Sequence, residues 1–223
     1  MRWALLLASF LLSFVVPSYA QDDSKNQSSM NSSIDLRYGV HYLRKDSLDL
    51  YLNTKDSVNF FKYSQLVGIG IATTFNTARF KEQDGFISIQ YQLPNTIYGY
   101  DSIAYTFTGY QIGFCMGGKD LLYAKEDLDL IYSFGVQFGY YYLKRENQSL
   151  DVPIQRSKNG IIAPQLVAEA RYFIGWLKLG FNMRVQYDVS GGTWNHVTPS
   201  GTNFGGFKAT GFAFQGVIGV RLN

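Results

Sequence analysis

The chain has 223 residues, one domain's worth, and a formal net charge of +3 with no basic cluster of the kind a nucleic-acid partner requires. Its 17 Tyr, 17 Phe and 22 Gly against 5 Pro favour β-structure with tight turns, and its single cysteine, Cys115, excludes an internal disulfide. Beyond the N-terminus no run reaches the roughly 18 apolar residues of a transmembrane helix, and the mean hydropathy of −0.09 is what alternating apolar and polar faces average to.

Residues 1–20 have the three parts of a secretory signal peptide. Arg2 supplies the positive end, 4–16 (ALLLASFLLSFVV) the apolar run, and Ser18-Tyr19-Ala20 after Pro17 the cleavage site, which places the mature start near Gln21. The alternative is a retained anchor, for which the apolar run is too short to span a bilayer. No Cys follows it, which argues against a lipid anchor. Residues 21–33 (QDDSKNQSSMNSS) read as a flexible polar leader. Residues 34–223 read as the folded domain.

From there, period-two segments follow one another. The first, 34–43, sets Ile34, Leu36, Tyr38, Val40 and Tyr42 against Asp35, Arg37, Gly39 and His41. The next three cover 65–75, 86–93 and 103–116. The clearest is 128–143, where Leu130, Tyr132, Phe134, Val136, Phe138, Tyr140 and Tyr142 share one face; a helix would space its apolar residues at three and four. Residues 163–173 follow. In 176–188, Leu177, Leu179, Phe181, Met183, Val185 and Tyr187 alternate with Lys178, Gly180, Asn182, Arg184, Gln186 and Asp188. The last segment, 207–222, runs to the end of the chain and is placed to pair with the first.

Eight alternating segments predict an all-β chain: a closed antiparallel transmembrane β-barrel of about eight strands. The runner-up is a soluble β-sandwich with its apolar face inward, but long apolar faces opposite Gly, Lys, Arg and Asp suit a crowded lumen better. The connections 44–63, 144–162 and 189–206 are long and polar, as outer loops are, while 76–85, 117–127 and 174–175 are shorter. The short 94–102 does not fit that asymmetry.

With a signal peptide, a polar leader, NGIIAPQLVAEARYFIG at mid-chain and a final GVIGVRLN, the chain resembles the small outer-membrane β-barrel proteins, including the porin-like and PorT-like groups, over roughly residues 34–223. The resemblance implies an integral protein of a Gram-negative-type outer membrane, in contact with its lipid and inserted by the barrel-assembly machinery. Its PorT-like side implies an accessory role in protein secretion. The chain departs from such barrels at its end, Leu222-Asn223, where an aromatic residue is common.

No catalytic or metal grouping is specific. His41 and His196 lie far apart in sequence and far from Cys115, so no set of three or four ligands forms, and no cofactor is expected. His196 and Ser200 lie four residues apart in one loop, the only grouping that suggests a lipid-modifying enzyme, but a third orienting group and a G-x-S-x-G elbow are missing. The main candidate is the inward charge set: Asp35, Arg37, Glu169, Arg171, Lys178, Arg184, Asp188 and Arg221. The first, sixth, seventh and eighth strands are contiguous in a closed barrel, so these charges predict an ion-pair network that fills the lumen rather than a solute passage. A second candidate is the Gly-rich loop with Trp194, His196, Phe204 and Phe207, read as exposed aromatics that contact a surface partner or glycan. The expected function is structural, surface-interacting or adhesive and non-enzymatic, the alternative being a secretion-machine accessory.

Overall fold

The computed structural model describes residues 31–44, 63–75, 83–99, 102–118, 124–125, 128–149, 152–190, 194–196 and 207–222. The signal peptide and most of the leader therefore lie outside the described residues. Eight long strands carry the fold: β1 (Asn31–Leu43), β2 (Tyr63–Phe75), β3 (Gln83–Tyr98), β4 (Ile103–Gly118), β5 (Leu128–Asn147), β6 (Val152–Ile174), β7 (Leu177–Gln186) and β8 (Gly211–Leu222). Two short ladders are added, Ala124–Lys125 on β5 and Asn195–His196 on β6.

Every long strand pairs antiparallel with the next, and β8 pairs back onto β1, which closes the ring. The paired residues can be followed once round, from Ser32 through Thr73, Gly85, Met116, Phe134, Leu166, Val185 and Phe212 to Tyr42. The path returns to β1 ten residues from its start. At about 3.3 Å per residue, and with eight strands about 4.8 Å apart, this offset tilts the strands roughly 40° from the axis.

The side chains are sorted inside out. Ile34, Leu36, Tyr38 and Val40 of β1 are exposed, while Asp35, Arg37 and His41 are buried. The other strands repeat this: Ile89 is 61% exposed, Leu166 66% and Phe134 69%, whereas Gln90, Gln165 and Lys178 are buried. In water, so much apolar area facing outward would be unstable; against hydrocarbon it is the favourable arrangement. Tyrosines edge this apolar band toward the end away from the termini (Tyr42, Tyr63, Tyr110, Tyr140, Tyr142, Tyr187), and Tyr132, Tyr172 and Trp176 edge it toward the termini. From Tyr132 to Tyr142 on β5 is ten residues, roughly 25 Å at that tilt, the height expected for such a band. This is a closed eight-stranded antiparallel transmembrane β-barrel.

The strands are unequal. β1, β2, β7 and β8 have 13, 13, 10 and 12 residues, close to the roughly 9–11 that cross a bilayer. β3 and β4 have 16 each, β5 has 20 and β6 has 23. At the terminal end β5 and β6 are level with their neighbours, Leu128 opposite Tyr172 and Ile174 opposite Leu177. The excess therefore stands at the other end, as a wall raised on one side of the mouth. This corrects the reading of 144–162 as a long loop. Those residues continue the ladder as far as Asn147↔Val152, because the charged run at 144–146 faces alternate sides of a paired strand without ending it. The short 94–102 connection has the same origin: β3 runs to Tyr98, and the Gln148 N–H donates to the Ser102 carbonyl at 2.8 Å, joining the two hairpin tips.

At the terminal end β6 and β7 are joined by Gly175 and Trp176 alone. Gly175 has φ +58°, which a glycine adopts without cost in a two-residue hairpin. β1 begins at Asn31, three residues inside the predicted leader, and β8 begins at Gly211 rather than 207.

Candidate functional site: lumen, lid and outer face

Alternation along β1, β3, β6 and β7 sends ionic side chains from four strands to one level of the lumen. Asp35 accepts hydrogen bonds from Lys178 Nζ at 2.8 Å, Arg37 Nη2 at 3.1 Å and Ser33 Oγ at 3.1 Å. Glu169 accepts from Arg171 Nε at 2.6 Å, Arg37 Nη2 at 2.9 Å and Asn182 Nδ2 at 3.2 Å, with Lys178 Nζ also at 3.2 Å. Asp84 takes Arg171 Nη1 and the Thr74 hydroxyl. Three cations thus face three carboxylates, and the Arg37 guanidinium lies 3.7 Å over the Phe86 ring. A charge moved from water to such a place is tolerated only when it is paired and hydrogen-bonded, as these are.

Of the eight predicted lumen residues, Asp35, Arg37, Glu169, Arg171 and Lys178 join this cluster. Three do other work. Arg184 lies in a glutamine layer above it, donating to Gln90 Oε1 at 2.7 Å. Asp188 sits at the mouth. Arg221 stacks on Phe173 at the terminal end, 4.3 Å from the ring centre. Asp84, a full member of the cluster, is missed in the sequence because the predicted third strand begins at residue 86. Extending its alternation by one repeat reaches it.

Above the glutamine layer the mouth is capped by aromatic packing. Phe207, Trp194 and Ala209 from the last loop are buried against Leu43, Tyr105, Phe107, Tyr141, Leu143 and Ile161. The Phe207 ring lies 5.1 Å from Tyr141 and 5.2 Å from Phe107, and Trp194 lies 5.7 Å from Phe207. Polar bonds pin this lid. Asn159 Nδ2 donates to the Phe207 carbonyl at 2.9 Å, and the Ala209 N–H donates to Asp188 Oδ2 at 2.8 Å. Asp188 Oδ1 accepts the Ser190 N–H at 2.9 Å.

This corrects the reading of Trp194 and Phe207 as exposed. They are 6% and 0% exposed because the raised wall offers an apolar inner face against which both side chains pack. The His196 backbone pairs with Ser157 on β6. Phe204 and Ser200 lie outside the described residues. Among the described residues no group of three His, Cys, Asp or Glu side chains is placed to hold a metal ion.

The outer face sorts its charges differently. Among the described side chains, Arg44, Lys144, Glu146, Arg156, Lys158 and Lys208 fall on outward positions, and all six lie at the end away from the termini. Lys144 pairs with Glu146 two residues along the same strand, and Lys158 Nζ lies 6.0 Å from the Tyr140 ring centre.

No family model and no curated relative matches the chain. Among solved structures, a major outer membrane protein from Thermus thermophilus is similar with a TM-score of 0.58 at 10% identity, over 87% of this chain and 100% of that one. Ail, the attachment invasion locus protein of Yersinia pestis, solved in complex with the heparin analogue sucrose octasulfate, is similar with a TM-score of 0.52 at 12% identity, over 86% and 99%. At these identities the likeness is one of fold. It shows a small closed β-barrel of the kind these outer-membrane proteins have.

Proposed function

We propose that this protein is an integral outer-membrane barrel with a structural or surface-interacting, adhesive role, exercised by its raised wall and long loops. The observation that carries the reading is the double closure of the lumen. An ion cluster crosses it near the terminal end, and the Trp194–Phe207 lid covers its mouth. Eight strands leave an interior that side chains just fill, so an aqueous path is not what this interior is built for. What remains for function is the surface above the membrane, where β3 to β6 stand clear of the opposite rim. The similar fold of Ail, named for attachment and invasion, is consistent with a barrel serving such a role.

In this reading the termini face the periplasm and the wall faces outward. Membrane-impermeant maleimide applied to intact cells tests it, since the native Cys115 is buried. Ser149→Cys, at the exposed tip of the β5–β6 hairpin, is expected to label in intact cells, and Trp176→Cys only after the envelope is opened. The reverse result would overturn the orientation, and a water-soluble protein would overturn the reading as a whole.

A further inference from the structure

The lumen holds one cation more than the ion cluster uses. Arg184 of β7 is 2% exposed, and its guanidinium makes one hydrogen bond, from Nη1 to the neutral Gln90 Oε1. Asp35, Glu169 and Asp84 are bound to Arg37, Arg171 and Lys178, three acids to three bases. Asp188, four residues farther along the chain, has its two oxygens on the Ala209 N–H and on Ser190. Four residues of extended strand span about 13 Å. Among the described residues Arg184 therefore has no carboxylate partner, and a buried charge is tolerated only when an opposite charge is brought to it. Its unused donors meet others. Arg184 Nε and Nη2 have no partner in the protein, nor have Arg37 Nε and Nη1 or Gln215 Nε2. These three side chains line one narrow gap where the glutamine layer meets the ion cluster, together with Gln90, Gln165 and Asn182. Nε and Nη2 of one guanidinium form a fork of two parallel donors, the geometry that seats an anion.

We propose that Arg184, with Arg37 and Gln215, forms a buried site for one small monovalent anion, chloride, which neutralises the cation that the cluster leaves over. As the amides stand the gap is too narrow for an ion. Gln215 is its movable wall, since the one hydrogen bond of its side chain is a 3.5 Å contact from Gln90 Nε2; turning it admits the ion and offers its own free Nε2. Two acceptors at the gap, Gln165 Oε1 and Asn182 Oδ1, also lack a protein partner and call for water beside the ion. Charge decides for an anion at Arg184: water would satisfy the fork and leave the positive charge unanswered in a low-dielectric interior. The tightness of the gap excludes phosphate, sulfate and larger anions. The site needs only the closed barrel, and holds whichever way the wall faces and whatever the loops contact.

The test uses a chain begun at Gln21, folded in neutral detergent micelles. Urea unfolding is followed at constant ionic strength while gluconate, an anion too large for the gap, is exchanged for chloride. At a chloride concentration about ten times the dissociation constant, the folded-to-unfolded ratio is expected to rise about tenfold. Arg184→Met, which fills similar space without the charge, is expected to lose that dependence, and Lys144→Gln, which removes an outward cation, to keep it. Equal stability of the wild type in the two salts overturns the site. So does a chloride gain that persists in Arg184→Met, since it would then be a general effect of salt. Wild-type crystals grown from bromide give a second readout that needs no variant to fold: an anomalous peak within hydrogen-bond reach of Arg184 Nε and Nη2 is expected. Water alone at that place overturns the proposal, and a bromide peak with no gain in solution does so too, as binding at crystal concentration only. Each protein is run unboiled and boiled in SDS: a fast unboiled band shows that the barrel stands and the site alone is under test, whereas its absence in the wild type removes the closed barrel and the site together.

Discussion

Arg37 of β1 and Glu169 of β6, 132 residues apart in sequence, meet at 2.9 Å across the lumen. Glu169 also serves Arg171, Lys178 and Asn182, which makes it the junction of the ion cluster. Glu169→Ala leaves those cations with Asp35 and Asp84 alone. Removing one partner of a buried ionic group costs about 3–5 kcal/mol, and urea unfolding of the barrel in micelles is expected to lose that much, with the fast unboiled band disappearing at a lower temperature.

Gly70 leaves room for the Phe86 ring on which Arg37 stacks. A Cβ at that position would lie 2.5 Å from Phe86 Cε2 and 3.1 Å from Arg37 Nε. Gly70→Ala is therefore expected to push the ring aside and cost about 1–3 kcal/mol. A change below about 0.5 kcal/mol in the same unfolding measurement would show that the ring moves freely.

The lid gives a local readout. Phe207→Ala removes the ring that Tyr141, Phe107 and Trp194 surround, a loss of about 3–5 kcal/mol of packing that falls on one loop rather than on the ladder. With Trp176 replaced by Phe in a chain begun at Gln21, so that Trp194 reports alone, acrylamide quenching is expected to rise several-fold while the fast unboiled band persists. Unchanged quenching would mean that the lid is held by Asp188 and Asn159 without the ring.

Ile89, 61% exposed near mid-height of the apolar band, separates a membrane barrel from a soluble one. Ile89→Arg is expected to destabilise the lipid-embedded protein by about 2–4 kcal/mol. In a water-soluble sheet the same change at an exposed site would be close to neutral.

Much of this architecture is legible along the chain, because a strand with lipid on one side and a packed lumen on the other writes its two faces into alternate residues. The segments 128–143 and 176–188 show it most openly, and both are strands, over Leu128–Asn147 and Leu177–Gln186. Alternation fades where the surroundings change. Above the membrane the outward face of β5 and β6 carries Lys144, Glu146 and Arg156 in place of apolar residues, so a continuing ladder reads as a loop. Trp194 and Phe207 read as exposed because a Gly-rich loop gives no periodicity, and the apolar wall that covers them comes from strands distant in sequence. Asp35, Arg37, Glu169, Arg171 and Lys178 are readable as inward by parity alone. Which acid meets which base depends on the ten-residue offset of the ring, which no single strand records.

That offset bears on how the chain comes to be assembled. The cluster takes Asp35 and Arg37 from the first strand, Asp84 from the third, and Glu169, Arg171 and Lys178 from the sixth and seventh, while the last strand lies between the seventh and the first and completes the circuit. In an unrolled ribbon, Asp35 and Lys178 would lie far apart, Asp35 left with Arg37 on its own strand and Lys178 with Glu169 on the adjacent one. The full set of cross-lumen pairs is thus a property of the finished ring and acts as a latch: the last strand has to dock before Asp35 meets Lys178 and Arg37 meets Glu169, and a chain stopped short of β8 leaves those contacts unmade.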